Sequence, residues 1–340
     1  MAKAPKKTIY SGIIYLSLLI FVSALLPWCL PSYWRDVLFL FVINVLVIMS
    51  YRLIVTMGGW SFSHVAIMGL GGYTLAILTT KHYHLSFWVA LPLGGLVAAL
   101  FAFLISFAVL RTKYFYFFLS TFAAGEALRQ SFIQFREVFG GFWGIPFIQR
   151  PAPLAGIDFN NNINFYYLIL VITIASGLVL YRIDRSRVGQ TVKAIAEDDT
   201  LCESFGVNTW GYKVGIHVVG SFFAGIAGVL FAGYNGFVAP TDFTAFFMYK
   251  FITACIIGGT STFSGPILGL IFVTLLQEIF RDLQEWLPLI DGVAIIGILL
   301  FLPEGLESRV PATRLLFERW RSKCLPERER TSVGLGGWNK

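Results

Sequence analysis

Residues 182–215 read RIDRSRVGQTVKAIAEDDTLCESFGVNTWGYKVG, a polar stretch between two long apolar runs at 165–181 and 214–236. Its spacing predicts a short amphipathic helix. Val192, Ile195, Cys202 and Phe205 fall on one side, while Glu197, Asp198, Asp199 and Glu203 add an acidic component elsewhere. Gly206 stops that helix, because glycine reaches the left-handed conformation without steric cost. The apolar stripe must be buried against something. One reading lays it on lipid headgroups. The other docks it onto a soluble partner, which the acidic side favours because anionic lipid repels it.

Outward from this stretch the chain is apolar. Only 13% of its 340 residues are charged and its mean hydropathy is +0.72, which excludes an ordinary soluble domain. Apolar runs lie at 13–30, 37–55, 61–80, 87–110, 114–132, 165–181, 214–236, 243–257, 266–280 and 289–302. At about 20 residues per crossing, these make an all-α polytopic membrane protein of about ten transmembrane helices. The runs 61–80 and 243–257 are short and bordered by glycine, so they read as broken or re-entrant segments. Residues 1–306 form one transmembrane domain, with the polar loop 182–213 inside it, and 307–340 form a basic tail. Leu315, Leu316 and Trp320 in that tail suggest an amphipathic helix on the inner leaflet.

Lysine and arginine concentrate in 1–12, 111–113, 182–213 and 303–340, which share one side if the N-terminus starts inside. The net charge of +7 therefore marks cytoplasmic loops and not a nucleic-acid surface. Both termini are expected on that side. Cys29, Cys202, Cys255 and Cys324 have no metal or disulfide spacing and read as apolar fillers. His82 and His84 lack a third ligand, and no phosphate-binding loop appears, so neither a metal site nor nucleotide hydrolysis is expected in this chain. Glu126 is the clear charge inside a span; it either pairs with Arg129 or lines a polar path.

An internal echo runs through the sequence. An offset of 200 residues aligns Gly58, Gly59 and Ser61 with Gly258, Gly259 and Ser261, and Ile67, Gly69 and Leu70 with Ile267, Gly269 and Leu270. Matching glycine-interrupted helices in two halves point toward a translocation path. Equally, they allow close helix packing without solute contact.

Several separate motifs then agree in order. GGWSFSHVAIMGLGGYT (58–74), LRTKYFYFFLSTFAAGE (110–126), GGFWGI (140–145), SRVGQTVKAIAEDDTLCESFGVN (186–208), IIGGTSTFSGPILG (256–269) and FLPEGL (301–306) resemble signatures of bacterial branched-chain amino acid permeases. These are the LivM-type subunits of ABC importers. The resemblance implies one inner-membrane permease subunit, normally paired with a homologous permease. Two cytoplasmic ATPase subunits would bind ATP and Mg and power it, and a solute-binding protein would deliver the cargo. No cofactor is expected in this chain.

The polar loop then corresponds to the coupling helix, with Ala194, Glu197, Asp198, Asp199 and Gly206 at matched positions. Gly58, Gly59, Ser61, His64, Glu126, Gly258, Gly259, Ser261, Gly265 and Pro266 are the candidates for the translocation path. Departures include Gly59 for the usual glutamine, Ser63 for the glycine before the histidine, and Ser261 for a third glycine. They touch solute identity: the same architecture serves urea, short amides and other small solutes. A reading of another class is a stand-alone ion-coupled carrier. The scarcity of buried carboxylates argues against it.

Overall fold

The computed structural model describes residues 26–28, 30–81, 85–112, 114–153, 156, 158–301 and 305–306. Most of the first apolar run, the His82–His84 loop and the basic tail with its amphipathic segment lie outside the described residues. The principal helices in chain order are α1 (Ser32–Val55), α2 (His64–Ala76), α3 (Phe87–Val109), α4 (Tyr114–Gln134), α5 (Asn162–Arg185), α6 (Arg187–Glu197), α7 (Asp199–Ser204), α8 (Thr209–Asn235), α9 (Ala245–Gly258), α10 (Gly265–Ile279) and α11 (Leu287–Phe301). Four of them, α1, α3, α5 and α8, are long and apolar enough to cross a membrane. The protein is thus a helical polytopic membrane protein.

α2 has 13 residues, extended by a π-helical turn at Ile77–Lys81. At 1.5 Å rise, its α-helical part covers only about 20 Å of a hydrocarbon core of about 30 Å. α9, with 14 residues, is equally short. Both runs that looked broken from sequence are therefore short helices, each ending or beginning at a glycine-bordered interruption.

α3 shows why such apolar helices find one arrangement. Its large side chains, Leu96, Leu100, Phe103 and Leu104, point outward, while Ala90, Gly94, Gly95, Ala98 and Ala102 are buried. Lipid tails are as apolar as leucine, so helices associate through close backbone packing and hydrogen bonds. Small residues supply that approach. A Cβ at Gly71 of α2 would lie 2.0 Å from the Gly225 carbonyl oxygen of α8, and one at Gly228 would lie 1.9 Å from the Met68 carbonyl oxygen. α2, α3 and α8 form the tight centre, and α1 and α5 pack outside it.

At one end, the loop after α4 pairs with the loop after α8 as a two-residue antiparallel ribbon, Ile145 opposite Val238. At the other end gather the α1–α2 connection, α6 and the α9–α10 connection. The α1–α2 and α9–α10 connections carry no lysine or arginine, so the charge pattern marks only α6 in this group, and the tertiary structure brings all three together.

Candidate functional site

α5 turns into α6 at Ser186, whose hydroxyl accepts from the Gly189 N–H at 3.3 Å. A Cβ at Gly189 would meet the Asp184 carbonyl oxygen at 2.3 Å, so this corner closes around glycine. α6 then buries Val192 and Ile195, as the spacing predicts.

The expected single helix through 190–206 does not form. Asp198 is extended (φ −153°, ψ 104°), and its carboxylate accepts from the Leu201 N–H at 3.0 Å. It ends α6 and caps α7, the local bond that makes aspartate a better cap than interior residue. The corner rotates the second half of the stripe away. Phe205 is 79% and Leu201 55% exposed, and Cys202 is only half-buried. Gly206 does stop the segment, at φ +79°. Replacing Asp198 by alanine should destabilise α7 by about 1 kcal/mol, read as faster amide exchange at residues 201–205, with Asp198→Asn close to the parent.

Of the residues matched to the coupling loop, Ala194, Glu197, Asp198 and Gly206 are exposed on this surface. Asp199 is half-buried and pairs with Lys213 of α8 at 2.6 Å.

The two glycine interruptions lie beside it. Gly58 and Gly259 both hold φ +87°, a conformation that only glycine adopts cheaply. In both, a serine in helical conformation precedes the next helix, Ser63 before α2 and Ser264 before α10. The structural equivalence is one residue out of step with the gapless offset of 200. Gly58 carries the end of α6: its Cβ position is 3.2 Å from the Ala196 Cβ. A Cβ on Gly59 would fall 2.6 Å from the Phe117 ring. Ser61 and Ser63 share a buried hydroxyl contact at 3.1 Å, and the Phe62 N–H donates to Thr121 Oγ1 of α4 at 3.1 Å.

His64 is buried against Ser50, Nε2 to Oγ at 3.0 Å. Gly258 is sealed on Gly265, whose carbonyl oxygen would be 2.1 Å from its Cβ; Pro266 is buried and Ser261 exposed. Glu126 pairs with Arg129 and accepts from Gln130 Nε2 at 3.0 Å. It also borders a small cavity of about 10 Å3, with Phe62 from the first interruption and Thr244 before α9. The pairing with Arg129 is what the structure shows for Glu126. The two halves of the candidate path are brought to one end of the bundle, but they do not line one continuous cavity among the described residues.

The most buried charge among the described residues is not among the candidates read from the sequence. Arg52, in the last turn of α1, is 1% exposed. Its Nη1 lies 2.9 Å from Asp184 Oδ1, and Lys193 Nζ of α6 lies 2.9 Å from the same oxygen. Its Nε donates to the Thr262 carbonyl oxygen at 2.8 Å and its Nη2 to that of Thr260 at 3.3 Å. A lone arginine inside an apolar run signals a hidden partner. Its partner could not be read, because Asp184 sits in the polar stretch far along the chain.

Residues 34–303 match the family described as branched-chain amino acid transport system / permease component. The chain is 31% identical over 296 residues, 80% of its length and 67% of the relative's, to the high-affinity branched-chain amino acid transport system permease protein LivM of Salmonella typhimurium. The LivM of Escherichia coli gives the same figures. The fructose import permease protein FrcC of Rhizobium meliloti is 29% identical over 144 residues, 40% of each chain. No solved structure matches the chain. The glycine-broken helices and the α6–α7 corner are therefore parts of a transport permease, and the chain belongs to the family of branched-chain amino acid transport system permease components.

Proposed function

We propose that this chain is one transmembrane subunit of an ATP-driven importer for a branched-chain amino acid or a closely related small solute. Two ATPase subunits bind ATP and Mg and push on the α6–α7 corner from the cytoplasm. A second, homologous permease completes the pathway, and a solute-binding protein hands over the cargo. The described residues supply packing and polar contacts, and import proceeds by a change in helix packing between inward- and outward-open states. The N- and C-termini lie on the cytoplasmic side with the corner.

One observation carries this reading. Leu201 and Phe205 stand exposed beside Glu197, Asp198 and the open Gly206, on a segment whose other face presses on Gly58. Large exposed side chains on a capped turn form an anchor for a partner surface, where a few buried apolar residues carry most of the binding energy.

Substituting Leu201→Asp together with Phe205→Asp should cost at least about 2 kcal/mol of ATPase association, roughly 30-fold in affinity. The measurement is co-purification of the ATPase subunits with the permease from detergent. Unchanged co-purification would overturn the docking assignment. Solute accumulation in vesicles by this chain alone, driven by an ion gradient without ATP, would overturn the importer reading.

A further inference from the structure

We propose that Arg52 is the joint through which α6 moves the second glycine interruption: Asp184 and Lys193 on one side and the backbone of 260–262 on the other are tied to one guanidinium. The inference rests on the reading of α6–α7 as the surface on which the ATPases push.

A fully buried arginine needs partners for five N–H donors fixed in one plane. Asp184 meets only Nη1. Here the remaining arms reach Thr262 at 2.8 Å and Thr260 at 3.3 Å, both through backbone carbonyl oxygens of the segment that separates α9 from α10. Carbonyls freed by a helix break inside a membrane protein require donors, and Arg52 provides them from a distant part of the chain. The Phe263 ring covers the guanidinium at 5.3 Å, and Tyr181 of α5 meets that ring edge-on at 5.4 Å. The second interruption is thus held to α1 and α5 by one side chain and its aromatic cover.

The other side of the joint reaches α6. Lys193 shares Asp184 Oδ1 with Arg52, and Ala196, one turn on, rests on Gly58. α6 therefore touches the first interruption directly and the second through Asp184 and Arg52. The contacts on both sides of the joint are short. Arg52 and Asp184 form a buried ion pair at 2.9 Å. The contact to Thr262 is a short, directional hydrogen bond. A displacement of α6 that shifts Asp184 is therefore passed through the guanidinium to the carbonyls.

The test uses the permease purified with its ATPases, its four cysteines replaced by alanine. Arg187→Cys reports on α6 and Ser264→Cys on the second interruption; both positions are exposed. Maleimide modification is timed with and without ATP plus vanadate. Both reporters should change rate severalfold on ATP.

Two variants then break the joint gently. Lys193→Gln removes the ammonium from a side chain that is one-third exposed. Arg52→Lys keeps the charge opposite Asp184 but loses the planar fork. In each, the ATP response at residue 187 should persist while that at residue 264 falls to the rate without ATP. An undiminished response at residue 264 in both variants overturns the joint. Absence of any response at residue 187 in the parent brings down the lever reading itself, and the joint with it.

Discussion

Replacing Asp184 by alanine is expected to lower the stability of the folded permease by about 3–5 kcal/mol, the usual cost of stranding one member of a buried ion pair. Arg52 has no route to water from its position, and the carbonyl oxygens of Thr260 and Thr262 cannot neutralise it. Lys193, partly exposed, can turn its ammonium outward when Asp184 is lost, so it adds little to the penalty. The measurement is the unfolding midpoint of the purified protein in detergent.

A second variant separates stranded charge from lost packing. Arg52→Met combined with Asp184→Leu removes both charges and fills similar space. Apolar replacement of a whole buried pair is often neutral or stabilising, so the double variant should recover most of the loss. A double variant as unstable as Asp184→Ala would show that the carbonyl contacts, and not the ion pair, hold this end together.

The other large effect belongs to the centre of the bundle. Gly228→Val should prevent normal assembly of α2 on α8. The added Cβ would lie 1.9 Å from the Met68 carbonyl oxygen and 3.0 Å from the Gly72 nitrogen, so the obstacles are backbone atoms. Overpacking against side chains costs about 1–3 kcal/mol, and a backbone obstacle places this change at or above the upper limit. Loss of a monodisperse peak in size-exclusion chromatography is the expected readout. Gly215, in the same helix, has open space where a Cβ would stand. Gly215→Ala should therefore be neutral or stabilising by up to about 1 kcal/mol, since alanine restricts the unfolded chain and favours helix. A similar loss in both variants would point to helix propensity and away from close packing.

Both sets of effects show where one sequence stops speaking. Hydropathy runs gave the helical membrane architecture, because the bilayer requires long stretches whose backbone bonds are satisfied within the segment. Glycine-bordered short runs announced the two interruptions. The polar stretch at 182–215 announced the α6–α7 segment, and Gly206 its end.

The corner at Asp198 was harder to see, since four consecutive polar residues fit a helix surface as well as a cap. Only in three dimensions does its carboxylate find the Leu201 N–H and swing Phe205 outward. The Arg52 joint was beyond reach for another reason. Asp184, Lys193, Thr260 and Thr262 lie between 132 and 210 residues away along the chain, and nothing local to Arg52 records them. Periodicity and composition are properties of neighbours in sequence, so they marked the apolar segments, four of which form helices long enough to cross a membrane among the described residues. Pairing of a buried charge is a property of neighbours in space. It was decided only when α1, α5, α6 and the second interruption met at one end of the bundle.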